Sequence, residues 1–378
     1  MKIGIDARLW NETGVGRYIR NLVENLLEID STNEYVLFVG TNVYQKIKSQ
    51  KSKVKSTTKN LKIIETNIKW HTLGEQRLFP KVLEKENLDL VHFPYFSVPI
   101  FYKGPYIITI HDLIIHHYPT GKASTLPSPV YYMKLFGYKY VIKEAAKKAQ
   151  KVITVSETTK DEIVKHLGVS PEKIFVTYEG VEDRVQKNTI PYTLSAKPYF
   201  LYVGNAYPHK NLERLIEAFK KIVAEFPEIK LFLVGKEDYF YRRLKEKVTK
   251  MSIEKNVIFA GFVPEEELEN YYENAKAIIL PSLMEGFGLT GLEAMKSNCL
   301  VIASDIPSLR EIYKDAAVYF DPLVIESLHA TIREVLLAEK RFNEYIIRGE
   351  KRVSEFSWKK MAQQTLKIYE SSLSVRSD

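Results

Sequence analysis

The stretch PSLMEGFGLTGLEAMK, from Pro281 to Lys296, decides how this chain is read. An apolar run before it, Ala277 to Leu280, predicts a strand. The stretch itself predicts a glycine-containing loop and then a helix. Gly286 and Gly288 let the backbone approach a ligand closely. Free N–H groups at the start of the helix make a site for a phosphate or diphosphate. Glu285 stands before the turn and Glu293 inside the helix, with seven residues between them. The first carboxylate reaches a ligand group at the loop, the second a hydroxyl pair farther along. A phosphate in the middle with polyols at both ends describes a nucleotide sugar.

Working outward, strand-sized apolar segments recur along the whole chain. In the first half they fall at 2–6, 35–39, 62–64, 90–93, 106–110, 151–155 and 174–178. In the second half they fall at 200–203, 231–234, 257–260, 277–280, 300–303 and 317–320. Most are continuous apolar runs, as expected for parallel strands buried on both faces. Helical periodicity is clear at 16–27, 212–225, 330–338 and 359–369. Alternation of strand and helix predicts a doubly wound α/β architecture. The pattern lapses once, in a polar stretch from Glu182 to Pro198, and restarts at Tyr199. This predicts two Rossmann-like domains, 1–185 and 199–355, a linker at 186–198 and a last helix within 356–378. Ligands of open α/β sheets bind beyond the carboxyl ends of the strands.

Composition narrows the classes. The chain has 378 residues, 45% of them hydrophobic, and a mean hydropathy of −0.21, which is a globular composition. Its one cysteine, Cys299, lies in an apolar run, so neither a disulfide framework nor a cysteine-based metal site is available. The start, MKIGIDARLW, lacks the apolar region of a signal peptide, and no apolar run approaches a membrane span. The expected compartment is the cytoplasm. The net charge of +8 admits nucleic acid, an anionic membrane surface or an anionic small substrate as partner. No nucleic-acid-binding signature accompanies it, so nucleic acid is excluded. One basic cluster, Lys46, Lys48, Lys51, Lys53, Lys55 and Lys59, reads as a solvated loop. In a second, from Tyr131 to Lys151, Tyr131, Tyr132, Phe136, Tyr138 and Tyr140 interleave with lysines. Two readings stand there: an amphipathic helix on the inner face of an anionic membrane or on a lipid-linked acceptor, and a core-facing aromatic stripe with a solvated lysine face.

Further motifs sit at predicted strand ends. After residues 2–6 comes Thr13-Gly14-Val15-Gly16, opening a helix, where Gly14 and Gly16 permit a tight turn and helix N–H groups face an anion. Ile19 occupies the third glycine position of the dinucleotide fingerprint, which removes support for NAD. Ile110-His111-Asp112-Leu113 ends another strand, with Asp112 placed to position His111 or to meet an acceptor. His116 and His117 follow, without a carboxylate or cysteine to complete a metal set. In Gly204-Asn205-Ala206-Tyr207-Pro208-His209-Lys210-Asn211 a helix starts near Asn211, a good cap residue. Lys210 at a helix N-terminus is electrostatically wrong for the helix alone and becomes reasonable if a diphosphate sits there. Ala260-Gly261-Phe262-Val263 is a further strand end. Tyr178-Glu179-Gly180-Val181 reads as a hinge. No Asp-x-Asp triplet occurs, which fits a reaction without metal.

These residues together resemble the retaining glycosyltransferases of family 4, which have the GT-B fold. The resemblance rests on Glu-Gly-Phe-Gly and Leu-Glu-Ala in the E-x7-E element, on GIDAR with Thr-Gly-Val-Gly, on IHDL and on KNLERLIEAF, in the family's order over nearly the whole chain. Thr290 departs from the family's usual proline. The resemblance implies two Rossmann-like domains facing across a cleft, with the C-terminal helix crossing back onto the first. It implies no cofactor beyond the nucleotide-sugar donor, a substrate; GDP-mannose is favoured over UDP-glucose or UDP-N-acetylglucosamine, with a sugar or lipid-linked sugar as acceptor. It implies that Glu293 binds the ribose hydroxyls and Glu285 the 3- and 4-hydroxyl edge of the sugar. The backbone around Phe287 and Gly288, with Leu289 and Thr290, supports sugar and phosphate. Lys210 after Gly204 neutralises the leaving diphosphate. Gly14 and Gly16 reach that diphosphate, Gly261, Phe262 and Val263 contact the base, and His111 orients the donor sugar. The family's second cation is missing: His209, when protonated, or Arg17 is expected to replace it. A nucleotide-sugar 2-epimerase and a scaffold with a degenerate site are the rival readings.

Overall fold

A computed structural model describes residues 1–49, 60–119, 128–181 and 198–373. Of the basic loop, Lys51, Lys53, Lys55 and Lys59 lie outside the described residues, as do all but the last position of the expected linker 186–198 and residues 374–378.

The chain divides into two units. The first comprises Met1–Leu113, Pro129–Gly180 and Ser357–Asp378; the second comprises Ile114–Ser128 and Val181–Phe356.

The first unit holds seven parallel strands: β1 (Lys2–Asp6), β2 (Glu34–Val39), β3 (Leu61–Glu65), β4 (Leu90–Phe93), β5 (Tyr106–Ile110), β6 (Lys151–Thr154) and β7 (Ile174–Val176). Their order is β3-β2-β1-β4-β5-β6-β7. The second unit holds six: β8 (Tyr199–Val203), β9 (Lys230–Val234), β10 (Val257–Gly261), β11 (Ala277–Leu280), β12 (Leu300–Ser304) and β13 (Val318–Phe320), in the order β10-β9-β8-β11-β12-β13. Both orders reverse beside the first strand of the unit, between β1 and β4 and between β8 and β11. Those reversals are the switch points at which doubly wound sheets open a crevice.

Helices cover the sheets. In α7 (Leu212–Glu225), Leu212, Leu215, Ile216, Phe219 and Ile222 recur every three or four residues and are buried. Glu213 favours its first turn, and the helix ends at Phe226, just before Pro227. The last helix, α14 (Trp358–Leu373), belongs to the first unit and lies along α1 (Gly14–Ile29). Met361, Ala362, Thr365 and Tyr369 form its buried stripe. A fully buried polar chain fixes it: Tyr369 Oη to His92 Nδ1 at 2.7 Å, His92 Nε2 to Thr109 Oγ1 at 2.8 Å, and Thr109 Oγ1 to Tyr18 Oη at 3.3 Å. Burial holds His92 down at about 3, with the nearby His111 adding to the shift, so its ring is neutral. A buried polar group without partners is costly, and this chain gives each ring nitrogen one.

Candidate active site

In the second unit the loops after β8 and β11 flank the switch point. After β8 the chain makes a short 3-10 turn, Pro208–Lys210, and then enters α7. After β11 it runs through Glu285 into α10 (Leu289–Lys296). Lys210 Nζ donates to Glu285 Oε1 at 2.6 Å, and Ser282 Oγ donates to the same oxygen at 2.6 Å. The loops are tied again where Leu283 N donates to the His209 carbonyl at 2.7 Å. Burial opposes ionisation of Glu285, but Lys210 and Ser282 outweigh it and hold the carboxyl below the ordinary glutamate range. The Lys210 and Glu285 side chains remain 19% and 15% exposed, so the pair is open to a ligand.

Gly288 makes the turn into α10. Its φ is 95°, a conformation that side-chain-bearing residues rarely adopt, and a Cβ there would lie 2.5 Å from Tyr313 Oη. Tyr313 is buried, and its hydroxyl donates to the Gly288 carbonyl. Phe287 is buried with its ring edge-on to Phe356 at 5.7 Å. Gly286, Phe287 and Gly288 therefore deliver the backbone to the helix start, where the Leu289 and Thr290 N–H groups stand in the first turn. One turn on, Glu293 Oε2 accepts from Tyr272 Oη at 3.0 Å. The glycines at the other strand ends join the group: Gly204 N donates to Val234 O at 2.9 Å, and Gly235 N to Gly261 O at 2.9 Å. Phe262 is exposed beyond Gly261, and Val263 is half-buried.

The structure bears on two expectations here. As it stands, His209 carries no charge. It is 6% exposed, and burial, reinforced by the Lys210 charge, holds it at about 4, so it is neutral at physiological pH. Nor does the Asn211 side chain cap α7. Asn211 has a left-handed φ of 60°, and its Nδ2 donates to the carbonyls of Pro281 (3.0 Å) and Pro322 (2.9 Å). It braces the β11 loop instead. Local propensity favours the cap, and the tertiary carbonyls outcompete it.

In the first unit, the carboxyl end of β1 carries a closed ion cluster. Arg8 bonds Asp6 through Nε (2.8 Å) and Nη2 (2.7 Å), and Nη2 also reaches Glu75 Oε1 at 2.6 Å. Ser97 Oγ and His71 N donate to Glu75 Oε2, and the guanidinium lies 3.9 Å from the Phe79 ring centre. Gly14 and Gly16 fall inside the first turns of α1, with neither at positive φ, so they form no tight turn. Gly16 is needed for close approach: a Cβ would lie 2.6 Å from the Trp10 carbonyl oxygen and 2.7 Å from that of Leu9. Gly14 has open space around it. Arg17 follows on the same helix, half-buried.

His111 follows β5. Its Nε2 donates to the Pro94 carbonyl at 3.0 Å, its Nδ1 lies 3.4 Å from Glu179 Oε1, and its ring meets Tyr18 edge-on at 4.7 Å. A carboxylate beside its ring is thus Glu179, read in the sequence as hinge; the neighbouring Asp112 is half-buried. The structure brings His111 and Glu179 together in the first unit. In the second it brings together Gly204, His209, Lys210, Gly261 and Glu285 to Glu293. Sequence reading missed Glu179, Ser282, Tyr272 and Tyr313. Ser282, inside the quoted stretch, was within reach; the others come from distant segments with no spacing signal.

The profile of glycosyl transferases group 1 matches residues 187–352, and that of glycosyltransferase family 4 matches residues 13–185. The O-antigen chain mannosyltransferase RfbU of Salmonella typhimurium is 31% identical over 284 residues, covering 74% of each chain. The O-antigen chain mannosyltransferase B of Escherichia coli is 27% identical over 376 residues, covering 94% of this chain and 96% of that one. Among solved structures, sucrose-phosphate synthase from Thermosynechococcus elongatus superposes with a TM-score of 0.76 at 20% identity, covering 99% of this chain and 100% of its own. HepE from Anabaena, solved with UDP and glucose, gives 0.76 at 16% identity, covering 98% and 100%. At such identities these two speak for the fold. The chain belongs to the family 4, group 1 glycosyltransferases and has the GT-B fold.

Proposed function

We propose that this glycosyltransferase moves a mannosyl group from GDP-mannose to a hydroxyl of a sugar or lipid-linked sugar, with retention at the anomeric carbon, in the synthesis of a cell-surface polysaccharide or glycolipid. The observation that carries the donor site is the open Lys210–Glu285 pair beside the Gly288 helix start at the β8/β11 switch point. Support for mannose comes from the relatives named above as O-antigen mannosyltransferases.

In this reading the diphosphate lies against the first-turn N–H groups of α10, with Lys210 Nζ beside it. Glu285 accepts from the sugar's 3- and 4-hydroxyls, and its pairing with Lys210 keeps it ionised for that task. Glu293, whose Oε2 accepts from Tyr272 Oη, takes the ribose hydroxyls. The bond from the anomeric carbon to the phosphate oxygen breaks, a bond to the acceptor oxygen forms on the same face, and the acceptor's proton passes to the departing phosphate oxygen. Lys210 and the helix start meet the charge that develops, with no metal needed. The first unit serves the acceptor, and His111, held by Pro94 and Glu179, orients the donor sugar. The cytoplasm, where nucleotide-activated sugars are made, is the proposed compartment.

Thermal melting with GDP, UDP, ADP and their sugar conjugates tests the donor. A ligand at a hundred times its dissociation constant adds about 2.7 kcal/mol of stability. Selective stabilisation by GDP and GDP-mannose is expected. Selectivity for UDP would move the donor to UDP-glucose or UDP-N-acetylglucosamine. Inversion at C2 of the intact nucleotide sugar, with no release of nucleotide, would favour a nucleotide-sugar 2-epimerase, and no response to any nucleotide would favour a degenerate scaffold. The anomeric configuration of the product, read by NMR, tests retention; a covalent sugar trapped on a side chain would sink the same-face mechanism. Activity abolished by a chelator would sink metal independence.

A further inference from the structure

The helix α5 (Ser128–Lys148) carries the segment for which the sequence left two readings open. One face is inward, with Ile142, Ala145 and Ala146 in the core of the first unit. The opposite face exposes Tyr132 (66%), Met133 (68%), Phe136 (75%) and Tyr140 (52%). At about 100° per residue these four fall in one sector of the helix, about 12 Å long. Lys139, Lys143 and Lys147, all exposed, fall in the same sector and extend it toward the C-terminus. Among the described residues no carboxylate pairs with these three; the one acidic residue of α5, Glu144, is half-buried and lies 3.4 Å from Lys148. Tyr138 packs on the core beside Phe96, whereas Tyr132, Phe136 and Tyr140 face outward, and among the described residues the cationic end of that outward face is unneutralised.

Charge selects the occupant. A second copy of this chain would place the same lysines against each other in a two-fold contact. A bilayer with anionic headgroups satisfies both halves: tyrosines sit at the headgroup level, phenylalanine and methionine sink below it, and lysines reach lipid phosphates. We propose that this face of α5 docks the protein on an anionic membrane, with Tyr132, Met133, Phe136 and Tyr140 at the acyl boundary and Lys139, Lys143 and Lys147 on the phosphates. The surface thereby favours an acceptor carried on a lipid. It stands apart from the donor reading, since no donor residue lies on it.

Co-sedimentation of the full chain with vesicles of phosphatidylcholine containing one third phosphatidylglycerol tests this. Binding is expected there and at least tenfold weaker on pure phosphatidylcholine. The triple variant Lys139→Glu, Lys143→Glu, Lys147→Glu should lose about a hundredfold, from about fivefold per lysine. Phe136→Glu should lose tenfold or more, with an unchanged melting temperature because the position is outside the core. A control, Lys220→Glu, Lys250→Glu, Lys255→Glu in the second unit, carries the same charge change and should bind nearly as well as the parent. Equal loss in the control would reduce the effect to net charge and overturn the proposal. So would absence of binding, or a dimer in sedimentation velocity that Phe136→Glu dissolves.

Discussion

At the first switch point, between β1 and β4, Arg8, Asp6 and Glu75 form a cluster from which water is nearly excluded: the Glu75 side chain is 0% exposed and that of Arg8 3%. At the second, between β8 and β11, Lys210 and Glu285 form a single pair with room beside it. Strand order and position are the same, and the charges sit at equivalent strand ends. What differs is saturation. Arg8 spends its donors on Asp6, Glu75 and the Ile68 carbonyl. Among the described residues Lys210 Nζ has one acceptor, Glu285, which leaves an ammonium with hydrogens to give. The fold supplies two equivalent crevices; hydrogen-bond saturation decides which is scaffold and which can take an anion.

The comparison breaks first at Arg8. Arg8→Met strands two buried carboxylates and should cost about 3–5 kcal/mol in urea unfolding. A loss under about 1 kcal/mol together with a fall in kcat would make the cluster functional and erase the contrast. Next comes Lys210→Ala, expected to remove about 2–4 kcal/mol of transition-state stabilisation, read in kcat/KM, with the fold retained. Near-normal turnover would put the donor site elsewhere.

Acidification sharpens the comparison through a neutral buried histidine in each unit, His92 at about 3 and His209 at about 4, with His71 of the first unit also lowered by desolvation to about 4. His92 and His209 lie below the ordinary value of about 6.5, so the unfolded chain binds more protons across that gap. Stability therefore rises with pH between about 4 and 6.5 and falls on acidification, by up to about 2 kcal/mol per histidine at pH 5. Glu285 acts lower: its contribution is present above the unfolded carboxyl value and is lost as pH falls through its lowered one. Melting curves at pH 7 and pH 5 should show the drop, reduced in His209→Asn; an identical drop in that variant would mean His209 is protonated in the folded state. The smallest effect belongs to Tyr313→Phe, about 1 kcal/mol from one lost hydrogen bond to the Gly288 carbonyl. It should show as weaker nucleotide binding in calorimetry. Unchanged affinity would free the Gly288 turn from dependence on Tyr313.

Much of this molecule was legible before any coordinates. The thirteen apolar segments correspond to the thirteen strands of the two sheets among the described residues. They were legible because a strand buried on both faces must be apolar along its length. The Pro281–Lys296 stretch announced its loop and helix for an equally local reason: glycines and carboxylates at fixed spacing constrain their own backbone. What failed was whatever a neighbour in space decides. Asn211 looks like a cap until two distant carbonyls claim its amide. His209 looks like a cation until burial removes its proton. Glu179 reads as part of a hinge, yet it faces the His111 ring. The aromatic and lysine positions of α5 were plain in the sequence, but the core alone decided which of them point outward. The sequence by itself determined the strands, their alternation with helices and the identity of the motif loops, because those follow from local chain geometry and periodic burial. Only the tertiary structure decided protonation, saturation and exposure, because each is a property of what surrounds a group rather than of the group.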